Sequence, residues 1–377
     1  MYLTILIPQK EQSQITLEEL LENPFMEVNS TYKDAVRKTT EISEIYSKTL
    51  YEKRKPRLDW VDHVSMSLTT AVRTTGVEEH YRHFSIPKKS NPTKRREIYA
   101  PDETLGTLQR QYKAYLDSLQ VLSHNAAYAY TTGRDIVKAN QRHQENNSRW
   151  FLQLDLKNFF PSINKEFLLK QLNKVYPFPE LDNAFIESLT EFALLNDEMP
   201  QGTCLSPILS NLVMVPIDFK IEKYLKEKSG DYFVYTRYAD DITISCRRKF
   251  SPEKIINAIK EIFTEEEVPF RINEEKTRFG SRAGRNYHLG LIINKDNQIS
   301  VGHEKNAKFR AMIYQWCKSF ITDYQGFQPP EFVDQTNKML GLIAFYTNVE
   351  PDFVKKVLAK YNNKFNIDII KEARKIV

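Results

Sequence analysis

Three aspartates are the residues whose type and spacing could carry out chemistry. Asp240 and Asp241 are adjacent within 232–246, a segment rich in aromatic and β-branched residues that predicts two short strands. The pair therefore falls at the tip of a predicted hairpin, where both side chains can point toward one site. Asp155 lies in another apolar segment, 151–163, which begins as a predicted strand. A carboxylate among apolar residues, together with a carboxylate pair, indicates a site for two divalent cations.

The aspartate pair has a simpler explanation when it is taken alone. Asp is a common turn residue, and a solvated Asp-Asp turn needs no ligand. Two carboxylates held close together repel each other, however, unless a cation neutralises them. The upstream Asp155 makes the cation site the preferred interpretation.

The order of these motifs resembles that of a known family. Tyr-Ala-Asp-Asp at 238–241 resembles the catalytic motif of reverse transcriptases, and Asp155 with Phe-Phe-Pro-Ser-Ile at 159–163 is similar to the preceding palm motif of the bacterial, retron-like and defence-associated branch. The resemblance implies that Asp155, Asp240 and Asp241 are the catalytic residues and hold two Mg²⁺ ions, for which Mn²⁺ is a substitute. It also implies an α+β right-hand polymerase with fingers, palm and thumb and with helical N- and C-terminal segments.

A basic hairpin predicted over 81–101 is similar to the fingers motif of this family. The resemblance implies that Lys88 and Arg96 bind the phosphates of the incoming nucleotide, where cations neutralise developing charge. Lys89 and Arg95 are neighbouring alternatives. A solvated basic loop would explain the same residues.

Further nucleotide-binding residues follow from the same resemblance. Phe160 is implied to be the steric gate that leaves no room for a ribose 2′-hydroxyl, although one of Phe159 and Phe160 is expected to be core. Gln201 and Gly202 lie in a Pro-Gln-Gly block that resembles the loop holding the nucleotide and the template base. Lys276 lies in a block that resembles the palm lysine motif of the family.

Two blocks differ from the retron pattern. The segment 125–143 resembles the part of retron enzymes that touches the template, and Gly133 with Arg134 fits contact with a phosphate. Retron enzymes usually have Asn-Ala-x-x-His there, whereas this chain has Ala-Asn-x-x-His at 139–143. The block similar to the primer-grip turn has His-Leu-Gly at 288–290 in place of Val-Thr-Gly. We predict that these changes alter the RNA partner without altering the chemistry.

Composition narrows the setting without identifying the function. The chain has 377 residues and a net charge of +5, which is compatible with nucleic acid. Its three cysteines are scattered, so neither a disulfide framework nor a zinc site is predicted, and a reducing cytoplasm is expected. No apolar run approaches transmembrane length, so no membrane association is predicted.

We predict a helical N-terminal extension over 1–80, reverse transcriptase fingers and palm over 81–294, and a helical thumb over 295–377. In the last part, lysines alternate with the aromatic residues Phe309, Tyr314, Trp316 and Tyr361. This pattern fits a thumb that grips a template–primer duplex. Amphipathic helices with solvated faces would explain it equally well.

The predicted function is an RNA-directed DNA polymerase that copies a dedicated noncoding RNA in a bacterial antiphage defence system. Its partners would be the RNA template, dNTPs and the DNA product or RNA–DNA duplex, and a protein partner or homo-oligomer is left open. Three alternatives remain. They are a template-independent or protein-primed polymerase of the same lineage, an RNA-dependent RNA polymerase without a bulky gate, and a catalytically silent RNA-binding scaffold.

Overall fold

The computed structural model describes residues 60–88, 91–119, 121, 123–229, 233–284, 288–322 and 329–377. The helices predicted before residue 60 lie outside these ranges. Two compact units are formed, one by the chain up to Ser123 with Phe160–Phe219 and one by His124–Phe159 with Lys220–Val377. The three-part division at residues 80 and 294 stays a prediction.

Helices and strands are mixed along the described chain, as an α+β protein requires. In order, they are α1 (Met66–Thr75), β1 (Tyr81–Lys88), β2 (Asn91–Pro101), α2 (Glu103–Ser118), α3 (Ile136–Glu145), β3 (Trp150–Lys157), α4 (Lys165–Leu172), α5 (Asn183–Ala193), α6 (Leu205–Ser229), β4 (Val234–Tyr238), β5 (Asp241–Cys246), α7 (Pro252–Glu265), β6 (Arg271–Ile272), β7 (Arg278–Ser281), β8 (Ile292–Ile293), β9 (Ile299–Ser300), α8 (His303–Thr322), α9 (Pro330–Val349), α10 (Pro351–Phe365) and α11 (Ile369–Ile376). Within the described ranges, no helix combines the length and the apolar character needed to cross a membrane.

The first unit contains the predicted basic hairpin and a helical core. Strands β1 and β2 pair antiparallel, with Ile86 opposite Arg96. Asp102 begins α2 by accepting a hydrogen bond from the backbone N–H of Leu105 at 2.9 Å. The apolar face of α2 is buried at Leu105, Leu108, Tyr112, Tyr115 and Leu116. This face packs against α5, because the ring centroid of Phe185 lies 4.8 Å from that of Tyr115.

The second unit is built on a sheet centred on β3. Strand β5 runs antiparallel to β3 along one side and also pairs with β4, as predicted for the aspartate hairpin. On the other side, β7 pairs with the first half of β3 and β6 pairs with its end. The strand order is therefore β4-β5-β3-β6, with β7 also on β3. Apolar residues inside β3 and β5 are buried. Their burial fixes the register of these two strands, and with it the position of the hairpin turn.

The helices α8 to α11 form the C-terminal core of the second unit. Phe309, Trp316 and Tyr361 are buried in it. The indole N–H of Trp316 donates to Thr336 Oγ1 at 2.9 Å. These aromatic residues fill a core at helical spacing, as the amphipathic-helix interpretation predicts, and the thumb that grips a duplex stays a prediction.

Candidate active site

The three predicted catalytic aspartates meet at one end of the sheet. Asp155 on β3 lies directly opposite Asp241 on β5 in the antiparallel register. Side chains of opposite residues project from the same face, with Cβ atoms about 4.5–5.5 Å apart. Asp240 lies in the adjoining turn, and its carbonyl accepts a hydrogen bond from the N–H of Leu156 at 3.0 Å. The hairpin and β3 together therefore gather three carboxylates.

Both carboxylate oxygens of Asp155 are engaged by the segment that follows β6. Lys276 Nζ donates to Oδ1 at 2.7 Å, and Asn273 Nδ2 donates to Oδ2 at 3.1 Å. The backbone N–H of Asn273 also donates to the carbonyl of Asp155 at 2.7 Å. A short 3₁₀ turn, Glu274–Lys276, sets this geometry. Lys276, predicted to bind nucleotide, thus contacts the carboxylate of Asp155.

Repulsion within the cluster contributes to a raised pKa of Asp241. Local desolvation, followed by repulsion from Asp240 and Asp155, raises the pKa of its carboxyl to about 6, and Lys276 only partly opposes this rise. A pKa raised by neighbouring carboxylates shows that one ammonium does not neutralise the cluster. Additional positive charge at this position would stabilise the fully ionised form.

The donor set fits divalent cations in its chemistry, because three carboxylates supply the hard oxygen ligands that such cations prefer. Its present arrangement is not a finished metal site. No group of three or more His, Cys, Asp or Glu side chains in the described ranges is set for metal binding. Lys276 occupies Asp155 Oδ1 at 2.7 Å, so a cation bound there must displace its ammonium.

The hairpin that carries Asp240 and Asp241 is held from inside by an arginine. Arg237 on β4 is fully buried, and its Nη1 donates to the carbonyl of Ala239 at 3.2 Å. Ala239 has a φ of 56°, a left-handed conformation that costs a non-glycine residue energy. Sequence patterns gave no signal for Arg237, since arginine is rarely fully buried.

The Pro-Gln-Gly loop binds the basic hairpin within the first unit. The N–H of Tyr99 on β2 donates to the carbonyl of Gln201 at 2.8 Å. Gly202 has a φ of 120°, and a Cβ atom there would lie 2.8 Å from the carbonyl oxygen of Tyr99. Glycine is required here because two backbone segments approach each other. The roles of Gln201 and Gly202 toward nucleotide and template stay predictions.

Arg95 and Arg96 of the basic hairpin differ in their contacts. Arg95 is used within the hairpin, since its Nη2 donates to the carbonyl of Ser85 at 2.7 Å. Arg96 is exposed and makes no side-chain hydrogen bond or ion pair with another described residue. Its guanidinium is the better placed of the two to bind an anion. Lys88 ends β1, and the side chains at 88–92, including Lys89, lie outside the described part of the chain.

The two adjacent phenylalanines after β3 divide as expected. Phe159 is buried, with its ring centroid 5.1 Å from that of Phe270. Phe160 is only half-buried and begins the Phe160–Phe219 part of the first unit. Phe159 is therefore the core residue of the pair, and Phe160 stays the predicted steric gate.

Comparison with known proteins decides the family. A family model described as reverse transcriptase (RNA-dependent DNA polymerase) matches residues 86–333. The chain belongs to the reverse transcriptase family. It is an RNA-directed DNA polymerase, and dependence on divalent cations follows for such enzymes in general.

Curated relatives place this reverse transcriptase in the bacterial retron-like branch. Retron Ec86 reverse transcriptase from Escherichia coli is 30% identical over 290 residues, covering 74% of this chain and 84% of that protein. Retron Ec73 reverse transcriptase from Escherichia coli is 28% identical over 285 residues, covering 73% and 87%. A telomerase structure from Candida albicans has a TM-score of 0.45 at 13% identity, covering 78% of this chain and 65% of the telomerase chain. That structural likeness supports no inference of its own.

Helix α3 of the reverse transcriptase is bonded through His143 to the hairpin that carries Asp240 and Asp241. This histidine is fully buried, and burial, followed by the repulsion that its protonated ring would meet from a protonated His288 and from Arg142, lowers its pKa well below the usual value, so the ring is neutral. Ser245 donates to Ser148, and its Oγ therefore accepts from His143 Nδ1 at 2.6 Å. The other ring nitrogen, Nε2, then accepts from the hydroxyl of Thr236 at 2.8 Å. Thr236 and Ser245 lie on β4 and β5.

The same helix holds the His-Leu-Gly turn through Asn140. Asn140 Nδ2 donates to the carbonyls of Ile136 at 2.8 Å and His288 at 3.3 Å, which fixes the orientation of the amide. Asn140 Oδ1 must then accept from His288 Nδ1 at 3.1 Å. Burial lowers the pKa of His288 to about 3, so its ring is neutral at physiological pH.

The two departures from the retron pattern therefore meet in one contact. Asn140 and His288 are buried, and the amide of Asn140 faces the ring of His288 instead of solvent. The ring of His143 lies edge-on to His288 with centroids 5.0 Å apart. Buried side chains cannot present a recognition surface to RNA, so the exchange of residues is explained by mutual pairing.

Arg134 also has a structural role that the sequence did not predict. Its Nη1 donates to the carbonyls of His124 at 2.9 Å and Ala127 at 2.8 Å. The guanidinium also lies 5.7 Å from the ring centroid of Tyr128. Arg134 thus stabilises the loop before α3. The predicted phosphate contact would require it to leave these acceptors.

Proposed function

We propose that this reverse transcriptase copies a dedicated noncoding RNA into DNA, with two Mg²⁺ ions held by Asp155, Asp240 and Asp241. The observation that carries the proposal is the carboxylate cluster, in which repulsion contributes to raising the pKa of Asp241 to about 6. Bound there, such cations activate the primer 3′-hydroxyl and stabilise the leaving pyrophosphate. Mn²⁺, with the same preference for oxygen ligands, is proposed as a substitute.

The chain's own residues would orient the other reactants. We assign Lys88 and Arg96 to the nucleotide phosphates, which is supported by the exposed guanidinium of Arg96, since it makes no hydrogen bond or ion pair with another described residue. Gln201 and Gly202 would hold the nucleotide and template base. Phe160 would exclude the ribose 2′-hydroxyl, consistent with its partial exposure.

The biological setting belongs to the same proposal. A dedicated RNA template is supported by the retron relatives. The net charge of +5 suits a nucleic-acid partner. We place the enzyme in the cytoplasm and in antiphage defence, on the motif resemblance to defence-associated enzymes.

Sequencing the nucleic acid that copurifies with the protein, before and after incubation with dNTPs and Mg²⁺, tests the proposal. We expect one enriched RNA and a DNA complementary to part of it. The double variant Asp240→Ala, Asp241→Ala should bind the same RNA and make no DNA. DNA synthesis that persists after RNase treatment would instead indicate a template-independent enzyme. Absence of synthesis by the wild type with every RNA and metal would indicate a silent scaffold.

Two further measurements address specificity. The enriched RNA should bind more tightly than a scrambled RNA of equal length at physiological salt, and equal binding would exclude a dedicated template. Cells carrying the wild-type protein should resist phages that infect cells carrying the double variant. Equal plaque counts on both strains would remove the defence role.

The sugar gate is tested separately. Phe160→Ala should admit ribonucleotides more readily at some cost in rate, since the larger cavity accommodates a 2′-hydroxyl. Phe159→Leu is the matched core control and should leave sugar selection unchanged. Equal discrimination between dNTPs and rNTPs by Phe160→Ala and wild type would place the gate elsewhere.

A further inference from the structure

A cavity of about 460 Å³ lies between the His288–Leu291 turn and the helices α8 and α9. Its walls are apolar and partly aromatic, formed mainly by Leu289, Phe309, Met312, Leu342, Phe345 and Tyr346. The rings of Phe309 and Tyr346 are stacked, with centroids 4.2 Å apart and planes at 19°. The hydroxyl of Tyr346 donates to the backbone carbonyl of Lys305 at 3.0 Å, so its polar atom is satisfied by the helix.

The size and lining of this cavity suit a flat heterocycle. Binding sites for small organic groups commonly measure about 300–1,000 Å³ and are lined by apolar and aromatic side chains. Aromatic side chains stack on nucleobases with little dependence on base identity. Leu342 is 41% exposed and lines the cavity, so the apolar surface is continuous with solvent there.

Two lysines among the lining residues give the cavity its charge. Lys305 and Lys308 are three residues apart on α8, so they lie on the same face of that helix. Lys308 forms an ion pair with Glu304 at 2.7 Å, and both side chains are about three-quarters exposed. Such pairs contribute little in water, so a phosphate can compete for Lys308. The apolar walls and the two ammonium groups together match a nucleotide, with the base inside and the phosphate at the lysines.

The turn beside the cavity holds an unfavourable conformation. Leu289 has a φ of 51° and Gly290 a φ of 81°, as in the two-residue hairpin turns that favour Asn-Gly. A bulky residue with positive φ is an outlier that persists only where its surroundings enforce it. Asn140 holds one end of the turn, and Lys305 Nζ donates to the carbonyl of Gly290 at 2.8 Å. With leucine instead of the favoured asparagine at this position, the turn presents an apolar side chain to the cavity wall.

We propose that this cavity receives an unpaired nucleobase of the bound RNA, with the adjoining phosphate held by Lys305 and Lys308. The inference rests on the proposed binding of a dedicated RNA and adds a site outside the carboxylate cluster. The base stacks on Phe345, the half-buried aromatic residue of the lining, and Leu289 closes one side. No chemical step occurs there, because the site anchors a nucleotide that is not being copied.

The test measures how much one base contributes to affinity. The probe is the copurifying RNA, or a short oligoadenylate, compared with the same strand in which successive single nucleotides are abasic. For the wild-type full chain, removing the base that enters the cavity should weaken binding about tenfold, as expected for one stacked base. In Leu342→Trp, which fills the cavity, the intact RNA should bind about tenfold more weakly and the abasic penalty should vanish. Asn337→Trp, on an exposed position of α9, is the matched control and should behave as wild type.

The charge contribution is tested on one helix. Lys308→Glu should weaken RNA binding and remove its dependence on the abasic position, whereas Lys318→Glu makes the same charge change elsewhere on α8 and should preserve that dependence. Thermal melting of each variant checks that it is folded.

The outcomes separate this inference from the proposed function. Wild-type protein that binds no RNA contradicts the proposed function itself. Tight RNA binding with an unchanged abasic penalty in Leu342→Trp overturns the cavity site alone. Saturable binding of AMP that is blocked by Leu342→Trp, with no abasic effect in RNA, would assign the cavity to free nucleotides and also overturn it.

Discussion

Two tight turns in the second unit have similar backbone conformations but are stabilised by different groups. Residues 239–240 join β4 to β5, and residues 289–290 are enclosed by reciprocal backbone hydrogen bonds between His288 and Leu291. Each turn places a non-glycine residue at positive φ, with Ala239 at 56° and Leu289 at 51°. Helix α3 is bonded through His143 to the strands that flank the first turn, and through Asn140 to the second turn itself. One helix therefore positions both turns.

The difference lies in how each turn is stabilised. The first carries carboxylates that repel one another, and Asp241 has a raised pKa as a consequence. The second is held on its buried side by neutral groups, the amide of Asn140 and the ring of His288, and carries no like charges that repel, although the ammonium of Lys305 also donates to the carbonyl of Gly290. A cluster of like charges lowers the stability of the fold but can bind cations, whereas a neutral network with satisfied hydrogen bonds fixes the position of its side chains. The comparison predicts opposite responses of activity and stability to substitution.

The largest expected difference is in catalytic rate. Asp155→Asn should lower kcat for nucleotide incorporation about 100- to 1,000-fold, because it removes charge from the cluster that we propose holds the cations needed to stabilise the transition state. His288→Val should keep kcat within about tenfold, since it touches no reacting atom. Single-turnover primer extension on both variants measures this. A similar loss of rate in both would show that the two turns are not functionally distinct.

The carboxylate turn was predictable from the sequence because its signals are local. The Asp pair sits between two β-rich segments, and Asp155 interrupts an apolar strand. The fold followed from the same strands, and the hairpin, strand β3 and the C-terminal helices are where residue patterns place them. Ordinary patterning of apolar residues is sufficient for such elements.

The contact that holds the other turn was not predictable because the two residues are remote in the sequence. Asn140 and His288 are 148 positions apart, and each alone is an ordinary polar residue. Sequence reasoning assigned both to RNA recognition, whereas the structure buries them against each other. Arg134 and Arg237 were missed for the same reason, since an arginine engaged by backbone carbonyls has no local pattern. Polar networks are set by tertiary contacts.

The Asn140–His288 contact should show strong thermodynamic coupling. Asn140→Ala and His288→Val should each lower the free energy of unfolding by about 1–3 kcal/mol, because each leaves a buried polar partner unsatisfied. The double variant removes both partners and should lose less than the sum, with a coupling energy of about 1 kcal/mol or more. Urea unfolding of the four proteins measures it.

Two exposed residues, one on α3 and one in a loop, provide a matched control for this coupling. Gln141→Ala and Asp296→Ala change exposed residues of α3 and of the loop between β8 and β9, and their effects should add. Strict additivity for Asn140→Ala and His288→Val as well would mean that the hydrogen bonds contribute nothing beyond packing.

Relief of backbone strain should change the free energy of unfolding differently at the two turns, and by less than the loss of the Asn140–His288 contact. Ala239→Gly should stabilise the protein by about 1 kcal/mol or less, because glycine adopts positive φ without a Cβ penalty and little buried surface is lost. Leu289→Gly should bring no gain, since the relief is offset by loss of apolar contacts in the cavity wall. Ala311→Gly, in an exposed position of α8, should destabilise by about 1 kcal/mol. Equal stabilisation by the two turn variants would contradict the packing role of Leu289.

The smallest effect concerns the pH dependence of the carboxylate turn. Because folding raises the pKa of Asp241 from 3.8 to about 6, the ionised carboxylate destabilises the folded state, and the cost is absent at low pH and complete above about pH 6. Asp241→Asn should therefore stabilise the metal-free protein at pH 7 by about 1 kcal/mol, a value reduced by the solvent exposure of this residue. The gain should shrink as the pH falls from about 6 to about 4, and Mg²⁺ should reduce it at pH 7 by stabilising the wild type. Urea unfolding across this range, with and without a chelator, measures both dependences. A gain that is constant with pH would show that the carboxylates do not repel one another, and the two turns would then share one mode of stabilisation.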